Sequence, residues 1–381
     1  MPAYLDYAAT APLRPAARRA WLAHADAPAN PASLHASGRS ASAALEDARD
    51  AIAALAGAAA RDVVFTSGGT EADVMALRGR FGSASSRRVL VGATEHKAVL
   101  DTVRALPDAE VVVLPVDATG ALRLDALAEA VAQGAALVAV MAANNEVGTV
   151  NDLAAISAIC MAAGVPWHCD AVQWPATRSV AEIPAESIAL SAHKIGGPVG
   201  VGALIIRGGP DLPVYTHGGG QEGGIRSGTV DVAGVAAFAA AWQAAARARE
   251  EEALRVRRLR DQLAAGVREA DPAATVRADG GTLDSHLHVT FPGCEADVLL
   301  MLLDAAGVEV STGAACSAGI PQPSHVLMAM GAGQAAARSA LRFSLGWNSK
   351  PDDVAAALEA LGPALAQARR AASVAPARVG G

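Results

Sequence analysis

The chain has 381 residues, of which 52% are hydrophobic and 18% charged, a balance that suits a well-buried globular protein and excludes an intrinsically disordered one. That length exceeds what a single core usually holds, so two domains, one large and one small, are expected. The net charge of −7 gives no electrostatic reason to bind nucleic acid.

Taken in chain order, short β-branched runs alternate with longer helical stretches. The runs at 63–66, 88–93, 111–116, 137–142, 166–170, 187–191 and 201–206 are mostly continuous rather than alternating, which predicts seven strands buried on both faces of a mostly parallel sheet. Helices are predicted between them at 40–56, 70–80, 97–106, 125–132 and 153–163. The alternation predicts an open α/β sheet with helices on both sides. From 235 to about 265 no breaker interrupts a charge-rich stretch, which reads as one or two long helices. A strand at 286–291, a helix at 296–306, a Gly/Ala/Ser-rich loop at 311–323, a strand at 341–344 and a helix from Pro351 then form a smaller α+β domain. The division expected is a segment 1–12 packing on the small domain, a large domain 13–250 and a small domain 251–381, the boundary falling inside the long helix.

The start shows no basic segment followed by an apolar run, and no uncharged, unbroken apolar stretch is long enough to span a membrane, so neither a signal peptide nor a membrane span is expected. Cys160, Cys169, Cys294 and Cys316 are few and irregularly spaced, which reads as reduced thiols in the cytoplasm. Among 31 basic residues only Lys97, Lys194 and Lys350 are lysines. Arginine serves wherever charge alone is needed, but only lysine can lose a proton and attack a carbonyl, so each lysine is a candidate for amine chemistry.

Lys194 follows a buried strand within Ser191-Ala192-His193-Lys194-Ile195-Gly196-Gly197, the strand end where open α/β sheets bind ligands. Taken alone it fits a surface lysine on a glycine-rich turn equally well. Asp170 ends another strand and needs a cation or a donor network, which a protonated pyridine nitrogen would supply, although a simple capping role also fits. His168 and Cys169 are adjacent and point to opposite faces of a strand, which argues against a shared metal. Ser67-Gly68-Gly69-Thr70 joins a strand to a helix N-terminus, a site suited to phosphate or to a plain cap. Gly218-Gly219-Gly220-Gln221-Glu222-Gly223 matches a dinucleotide fingerprint, but no buried strand immediately precedes it and no good helix start follows, so a loop touching a phosphate or a neighbouring subunit is expected. His96 ends a strand where it could lie over a flat ring and move protons. Cys316 has small neighbours, unlike a core cysteine, and is expected to be accessible. Arg342, in a buried strand, needs an anion: a substrate carboxylate or an internal partner.

Together these residues resemble the cysteine desulfurases of the class V aminotransferase group, fold type I enzymes that use pyridoxal 5'-phosphate (PLP). The resemblance runs from Tyr4-Leu5-Asp6-Tyr7 through Asn30-Pro31-Ala32-Ser33 to Arg342-Phe343-Ser344-Leu345-Gly346. It implies that Lys194 bonds the cofactor covalently, Asp170 pairs with its ring nitrogen, Gln173 bonds its ring hydroxyl and His96 stacks on the ring. Gly69, Thr70, Ser191 and His193 would hold the phosphate, and Thr229 would reach the phosphate in the other subunit of a homodimer. Asn145 and Arg342 would hold the carboxylate of L-cysteine. Cys316, on a loop of the longer kind, would take the sulfur and pass it to an acceptor protein of iron–sulfur assembly, tRNA thiolation or a cofactor pathway. No metal is implied. Neighbouring activities in the group, a selenocysteine lyase, an aminotransferase or a β-lyase, remain open, as does a partner protein that uses only the fold. The chain departs from the group's pattern at Gln221 and Gly223, which lie outside the cofactor core, and at Trp174-Pro175.

Overall fold

A computed structural model describes residues 2–28, 30–209, 211–278, 281–313 and 323–374. Cys316 lies outside the described residues.

The chain opens with a two-residue strand β1 (Ala3–Tyr4) and two helices, α1 (Pro15–Ala25) and α2 (Ala36–Ala56). Helix α1 is absent from the sequence reading; its start is marked by Pro15 in the first turn, where a missing N–H costs nothing. The alternating region follows: β2 (Val63–Thr66), α3 (Gly69–Ser83), β3 (Arg88–Gly92), α4 (Lys97–Arg104), β4 (Glu110–Leu114), α5 (Leu124–Val131), β5 (Leu137–Ala139), α6 (Leu153–Ala163), β6 (Trp167–Asp170), β7 (Ser187–Ser191) and β8 (Gly202–Ile206).

These strands form one seven-stranded sheet in the order β2-β8-β7-β6-β5-β3-β4. Only β8 runs against the rest, since it pairs antiparallel with both β2 and β7 while the remaining pairs are parallel. Strands β2, β5, β6, β7 and β8 are buried along their whole length, as continuous apolar runs require. Helices close on both faces. Asp152 caps α6 by accepting from the Ala155 N–H, and Gly164, at φ 66°, ends it in the left-handed region.

The long charged stretch is a single helix, α7 (Val232–Ala270), capped by Asp231. Its first part, through Val235, Phe238 and Trp242, packs in the core beneath the sheet. From Val256 onward the same helix packs in a second core with β10 (His286–Thr290), α8 (Ala296–Ala305), β12 (Ala340–Ser344) and α11 (Pro351–Val374). Strands β12 and β10 form an antiparallel sheet with β9 (Thr275–Arg277). Strand β11 (Val308–Glu309) pairs parallel with β1, and two short helices, α9 (His325–Ala329) and α10 (Gln334–Arg338), precede β12. The start of the chain is thereby stitched to its far end: the Ser344 N–H donates to the Leu5 carbonyl. Among the described residues no helix is long and apolar enough to cross a membrane.

Candidate active site

Beyond the carboxyl ends of β6 and β7 lies a cavity of about 340 Å³, within the size range of small-molecule sites. Its lining brings together Gly69, Thr70, His96, Asn145, Asp170, Gln173, Ser191, His193, Lys194 and Arg342, residues spread over 274 positions of sequence, from 69 to 342. Gly313 lies on the same wall.

Lys194 ends a single turn of 3-10 helix that follows β7. Its Nζ donates to the carbonyls of Ala8 (2.7 Å) and Ala9 (2.8 Å), groups that satisfy hydrogen bonds without fixing a charge. Burial, and then the nearby Arg342 guanidinium, push its ammonium down to about 8, against the opposing pull of Asp170 and Asp6. A lysine so placed loses its proton readily and becomes nucleophilic.

Asp170 is buried at the end of β6, one oxygen accepting from the Val172 N–H at 2.9 Å. Burial pushes its carboxyl above the usual range, while His96 and Lys194 pull it back. Two residues earlier on the same face of β6, His168 links two further elements. Its Nε2 meets Asp73 Oδ1 at 3.0 Å and its Nδ1 meets Ser187 Oγ at 2.9 Å. Burial holds His168 down to about 3 and raises Asp73 well above the usual carboxyl range, with Asp170 and Glu95 adding to the rise. Both directions favour an uncharged pair over an ion pair between Asp73 and His168.

His96 caps α4: its Nδ1 accepts from the Ala98 N–H at 3.1 Å, which leaves Nε2 as the proton-bearing nitrogen. The turn after β5 is tied down by Asn144, whose Oδ1 accepts from the N–H groups of Glu146 (2.9 Å) and Val147 (3.0 Å) and whose Nδ2 donates to the Thr94 carbonyl (2.9 Å). That turn presents Asn145 to the cavity. Arg342 donates through Nη1 to the Asn145 carbonyl (2.8 Å) and through Nη2 to Asp6 Oδ1 (2.5 Å), while its Nε has no partner among the described residues. The internal anion that the sequence left open for Arg342 is therefore Asp6. Gln173 donates to the Ala8 carbonyl (3.0 Å), and His193 pairs with Thr10 Oγ1 (3.1 Å), its ring held down to about 4 by burial and then by Lys194. Thr229 does not reach this cavity; it lines another, of about 680 Å³, with Asn30, Arg49 and residues 219–223. In that loop Glu222 is buried, and its carboxylate accepts from Arg49 and from the Phe65 N–H, which anchors the glycine-rich stretch to α2 and β2.

The family profile described as Aminotransferase class-V matches residues 3–357. The chain belongs to the class-V aminotransferase family. It is 47% identical over 389 residues to an IscS-like cysteine desulfurase of Mycobacterium tuberculosis (strain ATCC 25618 / H37Rv), covering 97% of this chain and 98% of that one. It is 37% identical over 381 residues to the cysteine desulfurase IscS of Methylococcus capsulatus (strain ATCC 33009 / NCIMB 11132 / Bath), covering 97% and 94%. A solved structure titled as a NifS-like protein superposes with a TM-score of 0.90 at 31% identity, covering 96% of this chain and all of that one. The fold is therefore the fold type I α/β architecture of PLP enzymes.

This family depends on PLP, and the cavity's donor set fits that group. At the phosphate end, α3 begins at Gly69, where a Cβ would fall 2.5 Å from Val172 Cγ2, so the backbone approaches as closely as a glycine allows. Gly68 before it sits at φ 151°, a conformation that favours glycine, and Gly69 and Thr70 at the helix start line the cavity together with Ser191, a setting suited to a phosphate. The same cavity holds a buried carboxylate, Asp170, and an amine, Lys194, the group types that a pyridine nitrogen and an aldehyde would require.

Three groups at the site escape a linear reading. Asp6 pairs with Arg342 across 336 residues. Asp73 lies three residues after Thr70, hence on the same helix face, a spacing that could have pointed to it. Glu95, buried beside His96, accepts from the Met141 N–H at 2.7 Å, and burial raises its carboxyl well above the usual range.

Proposed function

We propose that this chain is a PLP-dependent cysteine desulfurase: it converts L-cysteine to L-alanine, holds the sulfur as a persulfide on Cys316 and hands it to an acceptor protein. The observation that carries the reading is the convergence of Lys194, Asp170, His96, Asn145 and Arg342 on one cavity whose wall includes Gly313, three residues before Cys316 in the chain. The names of the relatives support the same reading.

Lys194 and Asp170 would hold PLP, which when bound would supply an electron sink for the Cα–H and Cβ–S bonds of the substrate. The chain's own residues do the rest. Arg342 and Asn145 hold the substrate carboxylate, Arg342 trading part of its contact with Asp6 for it. Lys194 Nζ, poised near neutral pH, takes the proton from Cα and returns it. His96 Nε2 serves as proton donor and acceptor on the ring face. The Cys316 thiolate attacks the substrate sulfur, the Cβ–S bond breaks with its electron pair passing to carbon, and protonation of that carbon yields alanine. Gln173 would bond the ring hydroxyl, and Gly69, Thr70, Ser191 and His193 would hold the phosphate. Thr229, outside this cavity, reaches the phosphate of the other subunit in a homodimer. The protein works in the cytoplasm and feeds iron–sulfur assembly or another sulfur-delivery route.

Cysteine supplied to the PLP-loaded protein should yield alanine, with sulfide released on adding a reductant. Cys316→Ala should abolish both; full-rate turnover by that variant would overturn the assignment of the nucleophile.

A further inference from the structure

Glu146 is buried, 4% exposed, yet no step above uses it. It stands between the two described flanks of the segment that carries Cys316. On the downstream side, Ser324 Oγ donates to Glu146 Oε2 at 2.5 Å, and the same hydroxyl accepts from the Leu327 N–H at 3.1 Å as the cap of α9. One bond to Glu146 thus fixes where α9 begins. On the upstream side, Gly313 lies against Glu146: a Cβ at Gly313 would sit 3.5 Å from Glu146 Cβ and 3.7 Å from Arg342 Cβ. That flank is also held to β12, since Ser311 and Arg342 exchange backbone hydrogen bonds of 3.2 and 2.7 Å. Glu146 itself is held by Asn144 Oδ1, in the turn that presents Asn145. Glu146, Ser324 and Gly313 all line a third cavity of about 380 Å³, which shares His96, Asn145 and Gly313 with the one that holds Lys194.

We infer that Glu146 is a positioning residue for sulfur transfer: it holds residues 313 and 324, the two flanks of the cysteine segment, in register with the substrate-binding pair Asn145 and Arg342. The inference rests on the desulfurase reading for its chemistry but on the described flanks for its geometry. Glu146 does not line the cavity that holds Lys194, so its effect falls on the placement of the two flanks. The reach of Cys316 to the substrate sulfur depends on where both flanks are anchored, and a displacement of an ångström at a reacting atom can cost ~100-fold in rate.

The test uses the PLP-loaded protein and the variants Glu146→Ala, Glu146→Gln and Ser324→Ala. Stopped-flow absorbance reports the cysteine-induced change at the cofactor, and rapid quench with mass analysis reports sulfur arriving on Cys316. The expected result is an absorbance phase within ~2-fold of the parent and sulfur transfer slowed ~10-fold or more in Glu146→Ala and Ser324→Ala, a tenth of the ~100-fold limit set by misplacement. Glu146→Gln, which keeps an acceptor oxygen, should recover most of the rate. Should Glu146→Ala fail to fold, Ser324→Ala breaks the same bond from the other side. An unchanged transfer rate in Ser324→Ala, or loss of the cofactor phase itself, would overturn the inference.

A second readout does not require the desulfurase reading. Iodoacetate carries a carboxylate that Asn145 and Arg342 can seat, whereas iodoacetamide does not. Cys316 in the parent should prefer iodoacetate, relative to a free thiol, and Glu146→Ala should lose that preference. A parent without the preference would also contradict the inference. Failure of the desulfurase reading alone would show as a parent that keeps the alkylation preference yet gains no sulfur from cysteine.

Discussion

Replacing Asp73 by asparagine tests the protonation pattern beneath the cofactor cavity. In the folded chain burial and the neighbouring Asp170 and Glu95 raise the Asp73 carboxyl well above the usual range, which favours its protonated form beside His168. In the unfolded chain the same carboxyl ionises near the ordinary aspartate value of about 3.9. Above that value, folding must take up a proton, so the native state loses stability as pH rises, by up to ~1.4 kcal/mol per unit for one group. Asparagine can donate to Nε2 without any such uptake. Asp73→Asn should therefore gain on the parent progressively as pH rises above the ordinary aspartate range. His168 titrates in the opposite sense: its folded value of about 3 contributes stability that is present above the ordinary histidine range and lost as pH falls. Both chains carry His168, so its term cancels in the difference. Denaturant midpoints of the cofactor-free proteins, compared at equal m-value across that pH range, give the number. Asp73→Leu, which leaves Nε2 buried and unpaired, should fall ~1–3 kcal/mol below Asp73→Asn at every pH. A difference between Asp73→Asn and the parent that does not change with pH, or that shrinks as pH rises, would mean a charged Asp73–His168 pair and refute the argument.

Other consequences follow from the same geometry. Arg342→Lys cannot reach both Asp6 and Asn145, and with each charge-assisted bond worth ~1.5–3 kcal/mol, kcat/KM for cysteine should drop by ~10–100-fold in steady-state assays. The absorbance of the lysine-bound cofactor should be lost in Lys194→Ala, and in the parent the cofactor-free Nζ should react with a carbonyl reagent at a rate that rises with pH through about 8, as the ammonium gives up its proton. Neither Lys194→Ala nor Thr229→Ala should be fully active alone, whereas mixed subunits should regain activity at one of two sites; no recovery on mixing would count against Thr229 reaching across a dimer.

The parts of the fold most legible in the sequence are those where one force dominates. Residues 63–66 and 187–191 were readable to the residue because strands covered on both faces are near-continuous apolar runs, here ending on Thr66 and flanked by Ser187 and Ser191. The run at 137–142 was readable only in its first half: β5 ends at Ala139, and residues 140–142 continue as backbone bonded to β6 outside the ladder. Helix α1 was missed because Arg14, Arg18 and Arg19 obscure its apolar face, which shows only when α7 is laid against it. At the site, residues that end strands, such as Asp170 and Lys194, announce themselves by position. Their partners do not, because Asp6 meets Arg342, and Ala8 meets Lys194, only through the folding back of the chain's start. The same holds for Glu146, whose role emerges from contacts with residues more than 160 positions away. The expected place of Cys316 falls outside the described residues, so its reactivity is a matter for chemistry.

That chemistry is most directly tested on the Cys316 peptide itself. The PLP-loaded protein is incubated with cysteine, quenched without reductant, digested and weighed. The account predicts one added sulfur on Cys316, removable by reductant and formed in step with alanine. Alanine formed with no sulfur on that peptide, or sulfur found on Cys160, Cys169 or Cys294 instead, would contradict it.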